Sequence, residues 1–259
     1  MSRVVVLGGT GAMGAALSGV LRGRGHDVVA VSRSTGVDAA TGAGLDDALA
    51  GADTVVDCLN LATLSRGRAV AFFGGTATLV AGAARRAGVG HVVCLSIVNV
   101  GDPGVRRATG YYAGKAAQED VYAAGRVPLT LVRTTAWFSL AETFLTQIRV
   151  GRVAVVPGMR LQPVHPAAAA VFLADAVESG PRRTSGLDAR QLSGPEEHDA
   201  AAMARAVARA RHPGVNVLRL PVPVAGLREG LLPRSDVQVD HRRFADWLTE
   251  PDAVRRPRR

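Results

Sequence analysis

The chain of 259 residues is 47 % hydrophobic, 20 % charged and only 4 % aromatic, and its formal net charge is +9. This composition excludes an intrinsically disordered chain, and no apolar run reaches the roughly 18–20 residues that a membrane span requires. The arginines that supply the charge are scattered in ones and twos, apart from a basic run at 255–259 that we interpret as a solvated tail. We therefore expect neither a nucleic-acid partner nor a membrane partner.

The cysteines and the start of the chain indicate a compartment. Cys58 and Cys94 lie in apolar, β-branched stretches, which predicts buried reduced thiols and neither a disulfide nor a metal site. A strand-like run at 4–7 follows the first three residues directly, with no signal peptide before it. We expect a cytoplasmic protein that holds no metal.

The first half alternates short apolar runs with helical stretches, which is typical of a parallel sheet wrapped by helices. Strands are predicted at 4–7, 28–31, 54–59, 91–97 and 129–133, and helices at 13–24, 45–50, 69–87 and 111–124. Continuous Val, Leu and Ile in these strands indicates burial on both faces. We predict an α/β fold with a Rossmann-like, doubly wound parallel sheet over residues 1–136.

The second half, residues 137–259, has a different rhythm. Helices are predicted at 137–149, 166–179, 198–211 and 244–248, strands at 153–156 and 215–220, and a loop rich in Pro and Gly at 221–233. This pattern predicts a smaller C-terminal substrate lobe that is built on the edge of the sheet and forms one structural unit with it.

A glycine-rich string follows the first predicted strand and opens the first helix. Glycines at 8, 11 and 14 permit a tight turn, a close approach to pyrophosphate and close helix–strand packing, while the helix N-terminus offers free N–H groups to phosphates. A glycine turn without a ligand is the alternative, but the strand–helix context favours a dinucleotide site. The predicted cofactor contacts here are Gly8, Thr10, Gly11, Ala12, Met13 and Gly14.

The end of the second strand distinguishes the two nicotinamide dinucleotides. Ser32, Arg33 and Ser34 include no acid for a ribose 2′-hydroxyl, whereas Arg33 can pair with a 2′-phosphate. NADP(H) is thus predicted over NAD, unless Arg33 is an ordinary surface arginine. Asp38 is a candidate adenine contact or a cap of the next segment, and Asn60 is a candidate ribose contact or a common loop residue.

Lys115 is the only lysine among 31 basic side chains, and it follows Tyr111 by four positions. Residues i and i+4 share a helix face, so the phenol and the ammonium are expected to lie side by side. A surface lysine on a helix is the alternative. Ser96 lies at the carboxyl end of the fourth predicted strand, at the edge of the sheet where ligands bind in such folds.

Together these features resemble the short-chain dehydrogenase/reductases, and more narrowly their atypical NmrA-like branch. The resemblance covers most of the chain and is weakest at its C-terminal end. It rests on GGTGAMG at 8–14, SRS at 32–34, the strand-end serine, YYAGK at 111–115 followed by AAQED, LTLVRTTAWF at 129–138 and LQPVH at 161–165.

The resemblance implies a catalytic set of Ser96, Tyr111 and Lys115. Tyr111 would be the general acid that protonates a carbonyl oxygen, Lys115 would assist it and hold the nicotinamide ribose, and Ser96 would orient the carbonyl. A flexible stretch at 101–104 could displace Ser96, which leaves Thr109 as an alternative hydroxyl. Tyr112 has the poorer spacing to Lys115.

Trp137, Phe138 and His165 are candidate substrate contacts, with packing between the lobes and a structural histidine as the alternatives. We expect an NADPH-dependent oxidoreductase that acts on a small or medium apolar carbonyl-like substrate. Two other functions remain open: a non-catalytic NADP(H) sensor that binds a protein partner, and an isomerase or dehydratase on the same fold. The oligomeric state is also open, with a homodimer as one candidate.

Overall fold

The computed structural model describes residues 1–182, 187–234 and 236–250, so the basic run at 255–259 lies outside the described residues. The strands are β1 (Arg3–Leu7), β2 (Asp27–Val31), β3 (Thr54–Asp57), β4 (His91–Ile97), β5 (Leu129–Thr134), β6 (Arg149–Val150), β7 (Val153–Pro157), β8 (Arg160–Leu161), β9 (Asp188–Ser193), β10 (His198–Asp199), β11 (Asn216–Leu220) and β12 (Gln238–Val239). The helices are α1 (Ala12–Gly23), α2 (Leu45–Leu49), α3 (Arg66–Arg86), α4 (Pro103–Ala108), α5 (Gly110–Ala123), α6 (Leu140–Gln147), α7 (Pro166–Ser179), α8 (Ala200–Arg211), α9 (Ala225–Arg228) and α10 (Phe244–Thr249).

A seven-stranded sheet with the order β12-β9-β5-β4-β3-β1-β2 forms the centre of the molecule, and each neighbouring pair is parallel. Apolar residues of α1 and α7 pack on one face, and those of α2, α3 and α5 pack on the other. This arrangement confirms the predicted α/β fold with a doubly wound parallel sheet. None of the helices in the described ranges is long and apolar enough to cross a membrane.

The second half of the chain contributes two strands to the main sheet, β9 and β12, which the sequence pattern did not predict. Strand β9 reads as polar because it carries Asp188 and Arg190, yet both are buried and form an ion pair with each other at 2.8 Å. Because these two opposite charges pair with each other inside the fold, β9 can be buried although its sequence lacks the apolar residues typical of a buried strand. The boundary at 136/137 stays a prediction.

The rest of the second half forms a smaller apolar cluster beside the sheet, built mainly from α6, α8, α10 and β7. The bounds differ locally from those expected. Helix α8 begins at Ala200 because Asp199 caps it, accepting a hydrogen bond from the Ala202 N–H at 3.1 Å. The helix predicted at 137–149 is the shorter α6.

Two segments that were predicted to be loops contain helices. The stretch at 101–104, which was predicted to be flexible, contains the start of α4, where Asp102 accepts hydrogen bonds from the Gly104 and Val105 N–H groups. The predicted loop at 221–233 contains α9, which packs so closely on α4 that a β-carbon at Gly226 would lie 2.4 Å from the Gly104 carbonyl oxygen.

Candidate active site

The carboxyl ends of β1 and β3 meet where the strand order reverses, which is the place where open α/β sheets bind ligands. Gly8 follows β1 with φ +73°. A β-carbon there would lie 2.9 Å from the Cys58 carbonyl oxygen at the end of β3. Only glycine adopts this backbone without strain and fits this close approach.

The glycine string is held tightly against its neighbours. A β-carbon at Gly14 would lie 2.3 Å from the Gly8 carbonyl oxygen, and one at Gly9 would lie 2.6 Å from the Ala30 Cβ. Gly9 was not among the predicted cofactor residues, although its place in the string is the signal that could have found it. It sets the spacing between the loop and β2.

The start of α1 leaves its backbone donors open. Gly11 is the N-cap and supplies no side-chain hydrogen bond, and the first turn carries no acid. Thr10, Gly11 and Ala12 are exposed. The Met13 side chain is buried in the apolar core, so the predicted contact at Met13 is restricted to its backbone.

The residues after β2 form a compact polar turn. Ser32 and Thr35 cap each other reciprocally, and the Ser32 and Ser34 hydroxyls lie 2.8 Å apart. Arg33 is exposed, and its guanidinium has no ion-pair partner among the described residues. The structure thus places one cation and two hydroxyls at the end of the strand next to the glycine string.

Asp38 and Asn60 lie at the same edge of the sheet. The Asp38 carboxylate accepts a hydrogen bond from the Ala40 N–H at 2.9 Å, which is the local capping role that the sequence left open. Asn60 is exposed just beyond β3.

Helix α5 brings Tyr111 and Lys115 to one face. The Tyr111 ring packs edge-on against Phe73 of α3 with centroids 5.6 Å apart, and the Lys115 Nζ lies 4.9 Å from the centroid of the same Phe73 ring. Gly114 permits this contact, because a β-carbon there would lie 2.7 Å from the Phe73 ring and 2.8 Å from the Ala69 carbonyl oxygen.

The adjacent tyrosine has a different environment. Tyr112 is buried in the apolar cluster of the second half. Burial, with a smaller effect of Tyr111, raises the pKa of the Tyr112 phenol above its usual range. Thr109 caps α5, accepting a hydrogen bond from the Tyr112 N–H at 3.2 Å, so this alternative hydroxyl already has a structural role.

Lys115 is anchored beside the strand-end serine. Its Nζ donates to the Leu95 carbonyl oxygen at 2.6 Å and to the Gln118 Oε1 at 2.5 Å, and the side chain is buried. The Leu95 carbonyl belongs to the peptide group that precedes Ser96. The structure therefore brings the lysine of α5 to the end of β4, and it is not a surface lysine.

Two hydroxyls near this point lack partners. The Ser96 Oγ and the Thr135 Oγ1 are buried and form no hydrogen bond within the described structure. Such atoms ordinarily cost about 1–3 kcal/mol each. Thr135, directly after β5, was not predicted, although its place at the carboxyl edge of a parallel strand could have indicated it.

A buried carboxylate was also missed. Asp57 ends β3, and its Oδ2 accepts hydrogen bonds from the Gln118 Nε2 at 2.8 Å and from the Tyr122 hydroxyl at 2.7 Å. Burial first, and the Asp57 charge second, raise the pKa of the Tyr122 phenol far above its usual range. The same two causes raise the pKa of the Cys58 thiol to about 12, and Cys58 and Cys94 are buried free thiols as predicted.

The three candidate substrate contacts lie largely in the protein interior. Phe138 is 1 % exposed and packs against Phe244 and Trp247, with ring centroids 5.5 and 5.9 Å away. His165 caps α7 through its Nδ1 and lies 3.1 Å from Glu250 through its Nε2. These contacts give both side chains a structural role in packing and capping, and their contact with a substrate stays a prediction.

Trp137 is only partly buried. Its Nε1 donates to the Thr134 hydroxyl at 3.0 Å, and this contact holds the indole at the end of β5.

No cluster of three or more His, Cys, Asp or Glu side chains within the described ranges is arranged to hold a metal ion.

Comparison with known proteins gives a structural likeness only. No protein-family model matches the chain, and no curated protein matches it in sequence. The resemblance to the NmrA-like branch therefore stays a prediction.

Several solved structures are similar in fold. One is dTDP-4-dehydrorhamnose reductase from Bacillus anthracis in complex with NADP, with 15 % identity, TM-score 0.66 and coverage of 96 % of this chain and 93 % of that one. The Thermus thermophilus UDP-glucose 4-epimerase complex with NAD has 19 % identity, TM-score 0.65 and coverage of 89 % and 90 %. A short-chain dehydrogenase/reductase superfamily protein from Agrobacterium tumefaciens with bound NAD has 17 % identity, TM-score 0.62 and coverage of 85 % and 86 %. At these identities the likeness shows that the chain shares their fold over nearly its whole length.

Proposed function

We propose that the chain is an NADP(H)-dependent oxidoreductase of the short-chain dehydrogenase/reductase type that reduces a small or medium apolar carbonyl-like compound. One observation carries the proposal. Tyr111 and Lys115 lie against the same ring, and the Lys115 Nζ bonds the peptide group that precedes Ser96. These contacts support a site in which the Tyr111 phenol, the buried Lys115 ammonium and the Ser96 hydroxyl act together.

The described residues fit a dinucleotide. β-carbons at Gly8, Gly9 and Gly14 would fill the space between the loop and the strands, and α1 starts with open backbone donors. This combination of a close backbone approach and a helix N-terminus is the arrangement that binds pyrophosphate. The similar structures hold NADP or NAD, which supports the same ligand class here.

Arg33 supports NADP(H) over NAD. A guanidinium pairs with a phosphate through charge-assisted hydrogen bonds, and Ser32 and Ser34 add hydroxyls beside it. An acid that would bind a free 2′-hydroxyl is absent from the turn at 32–36. Asp38, the next acid along the chain, bonds its own loop.

The chemistry follows from the side chains. Bound NADP(H) supplies the hydride. Tyr111 gives its phenolic proton to the carbonyl oxygen, and the Lys115 ammonium on the same helix face stabilises the phenolate that remains. The Ser96 hydroxyl donates to the oxygen as negative charge develops on it. Half-buried Ile97, Ala136 and Leu140 pack against the same apolar cluster as Tyr111, which favours an apolar substrate.

Nucleotide binding is the first test. Purified protein is titrated with NADPH and, separately, with NADH, and the fluorescence of the reduced nicotinamide is followed. We expect binding of NADPH that is at least about tenfold tighter than that of NADH, because a phosphate–guanidinium contact contributes roughly 1.5–3 kcal/mol. If the protein binds neither NADPH nor NADH, the proposal is excluded.

The second test separates the two neighbouring tyrosines. Consumption of NADPH is measured with a panel of small apolar aldehydes and ketones for Tyr111→Phe and for its matched control Tyr112→Phe. We expect turnover to fall by about 100-fold or more in Tyr111→Phe with NADPH affinity retained, and to stay near the wild-type value in Tyr112→Phe. Equal losses of turnover in the two variants would show that Tyr111 is not the general acid.

The same measurements separate the other functions. A sensor would be favoured if the protein binds NADPH tightly, turns over no carbonyl compound, and associates with a protein partner in a way that depends on the dinucleotide. Conversion of a substrate with no net consumption of NADPH would favour an isomerase or dehydratase, and one of the similar structures is an epimerase.

A further inference from the structure

Asp57 is a fully buried carboxylate with no cation in direct contact within the described residues. Its hydrogen bonds come from three neutral donors: the Gln118 Nε2 and the Tyr122 hydroxyl at Oδ2, and the Leu59 N–H at Oδ1 at 2.9 Å. A buried charge is costly unless it is paired. In this structure the network leads to a positive group.

That group is Lys115. The Gln118 side chain accepts from the Lys115 Nζ through its Oε1 and donates to Asp57 through its Nε2. Only this orientation of the amide satisfies both ends, because an ammonium can only donate and a carboxylate can only accept. One neutral side chain thus joins a buried cation to a buried anion.

The other nearby acid cannot take this role. Glu119, the next residue on α5, is bound by Arg133 through two hydrogen bonds at 2.9 and 2.5 Å. Its charge is already paired. Tyr122 stays protonated because burial and the Asp57 charge raise its pKa, so it remains a donor to Asp57 and supplies no charge.

An ammonium has three donors. In Lys115 two of them are used by Leu95 and Gln118. The Phe73 ring lies 4.9 Å from the Nζ and adds a favourable contact for the cation. The ammonium is therefore held from several directions, while its third donor has no hydrogen-bond partner among the residues that the structure describes.

We propose that Asp57 is a positioning residue for Lys115, which acts through the Gln118 amide to keep the buried ammonium charged and fixed, with its third donor left for a ligand. The meaning of this chain of contacts for turnover rests on the proposed function, whereas the contacts themselves do not. Asp57 touches no reacting atom.

The composition of the chain permits a direct test. Because Lys115 is the only lysine, protein labelled with ¹⁵N-lysine gives a single ammonium signal from the full chain. The exchange rate of its protons with water reports how firmly the ammonium is held. We expect a slowly exchanging signal in the wild type, and exchange that is faster by about tenfold or more in Gln118→Met, which has similar size and no amide.

Tyr122→Phe is the matched control. It removes one donor to Asp57 without touching the Gln118 bridge, so the lysine signal should keep its wild-type exchange rate even if the melting temperature falls. A Tyr122→Phe variant that exchanges as fast as Gln118→Met would show that the network acts only by supporting the fold, and would overturn the proposal.

A charge exchange provides the second variant if Gln118→Met does not fold. Asp57→Asn alone removes the counter-charge and should accelerate exchange by about tenfold. Adding Gln118→Glu moves the carboxylate next to Lys115, with the asparagine amide donating to it, and should restore most of the slow exchange. If the lysine protons exchange as fast in the double variant as in Asp57→Asn, a role for the carboxylate charge would be contradicted.

NADPH titrations of the same proteins keep the two proposals apart. If the wild type binds NADPH, Gln118→Met should bind it more weakly and Tyr122→Phe should bind it normally. A wild type that binds no nucleotide but whose lysine responds as described would retain the positioning role and end the proposed function. If the wild type binds the nucleotide but the exchange rate of the lysine signal does not change in Gln118→Met, the proposed function would be retained and the positioning role of Asp57 would be excluded.

Discussion

Gly14 lies so close to Gly8 that a β-carbon at position 14 would meet the Gly8 carbonyl oxygen at 2.3 Å. The first turn of α1 is therefore in contact with the loop that precedes it, and the loop cannot move away without losing its contacts to β2 and β3. Space for a phosphate at the helix start depends on this contact.

The first prediction is that Gly14→Ala weakens nucleotide binding. The methyl group must displace backbone, which typically costs about 1–3 kcal/mol. We expect a corresponding loss of thermal stability and an increase of about tenfold or more in the dissociation constant for NADPH, measured by fluorescence titration.

Gly19→Ala is the control, because Gly19 lies in the same helix and a β-carbon there meets nothing within 4 Å. Alanine is the better helix former by roughly 0.5–1 kcal/mol, so this variant should be slightly more stable and bind NADPH normally. If Gly19→Ala weakened NADPH binding as much as Gly14→Ala does, the loss of affinity would come from a change in α1 as a whole and not from the Gly8–Gly14 contact.

The second prediction concerns the choice of nucleotide. Arg33→Ala should weaken NADPH binding by about ten- to 100-fold, because a charge-assisted phosphate contact is lost, and should leave NADH binding unchanged. Arg85→Ala is a suitable control, since Arg85 is exposed near the end of α3 at the opposite edge of the sheet. An equal loss for both nucleotides in Arg33→Ala would exclude a specific 2′-phosphate contact.

The parts of the molecule that sequence could predict are those set by short-range spacing. The glycine string and the Tyr111–Lys115 interval each specify their geometry within a few residues, because helix and turn periodicities are local. The apolar strands of the first half are likewise visible in their composition. These features were sufficient to predict the sheet and its binding edge.

The parts that it could not predict depend on partners distant in the chain. Gln118 and Asp57 are 61 residues apart, and nothing in either local pattern indicates that one amide joins Asp57 to Lys115. Strand β9 was hidden because Asp188 and Arg190 neutralise each other inside the fold. Phe138 and His165 follow β5 and precede α7 as expected, but packing in the second half buries them.

The third prediction uses the two buried hydroxyls without partners. Ser96→Ala and Thr135→Val each remove an unsatisfied polar atom, so neither should lower the free energy of unfolding, and each should raise it by a few tenths to about 1 kcal/mol. If the Ser96 hydroxyl orients a substrate, turnover should nevertheless fall in Ser96→Ala by about tenfold or more.

Gain of stability with loss of turnover is the pattern typical of a residue kept for function. Urea unfolding at constant pH checks the first quantity, and NADPH consumption checks the second. A clear loss of stability in Ser96→Ala would show that its hydroxyl has a structural partner and is not held ready for a ligand.

The last prediction concerns acid stability and His91. This side chain is buried at the start of β4, where its Nε2 lies 2.9 Å from the Thr130 hydroxyl. Burial, with a smaller effect of the Arg190 charge, lowers the pKa of His91 to about 4, whereas an unfolded histidine titrates near about 6.5.

Between these two values the unfolded chain binds a proton at this position and the folded chain does not. Stability is therefore full above about pH 6.5 and falls as the pH is lowered toward about 4, by at most roughly 1.4 kcal/mol per pH unit from this group. His198, whose pKa is also lowered by burial, adds to the slope in the same direction.

His91→Gln keeps an amide beside Thr130 and removes the titration. In urea unfolding at several pH values from 4.5 to 7.5, a range chosen to span roughly these two limits, the variant should lose less stability per pH unit than the wild type. The slope that remains should reflect His198 and the carboxylates. Equal slopes in the two proteins would mean that His91 takes up its proton over the same pH range in the folded and the unfolded chain, and that the Thr130 contact tolerates its charge.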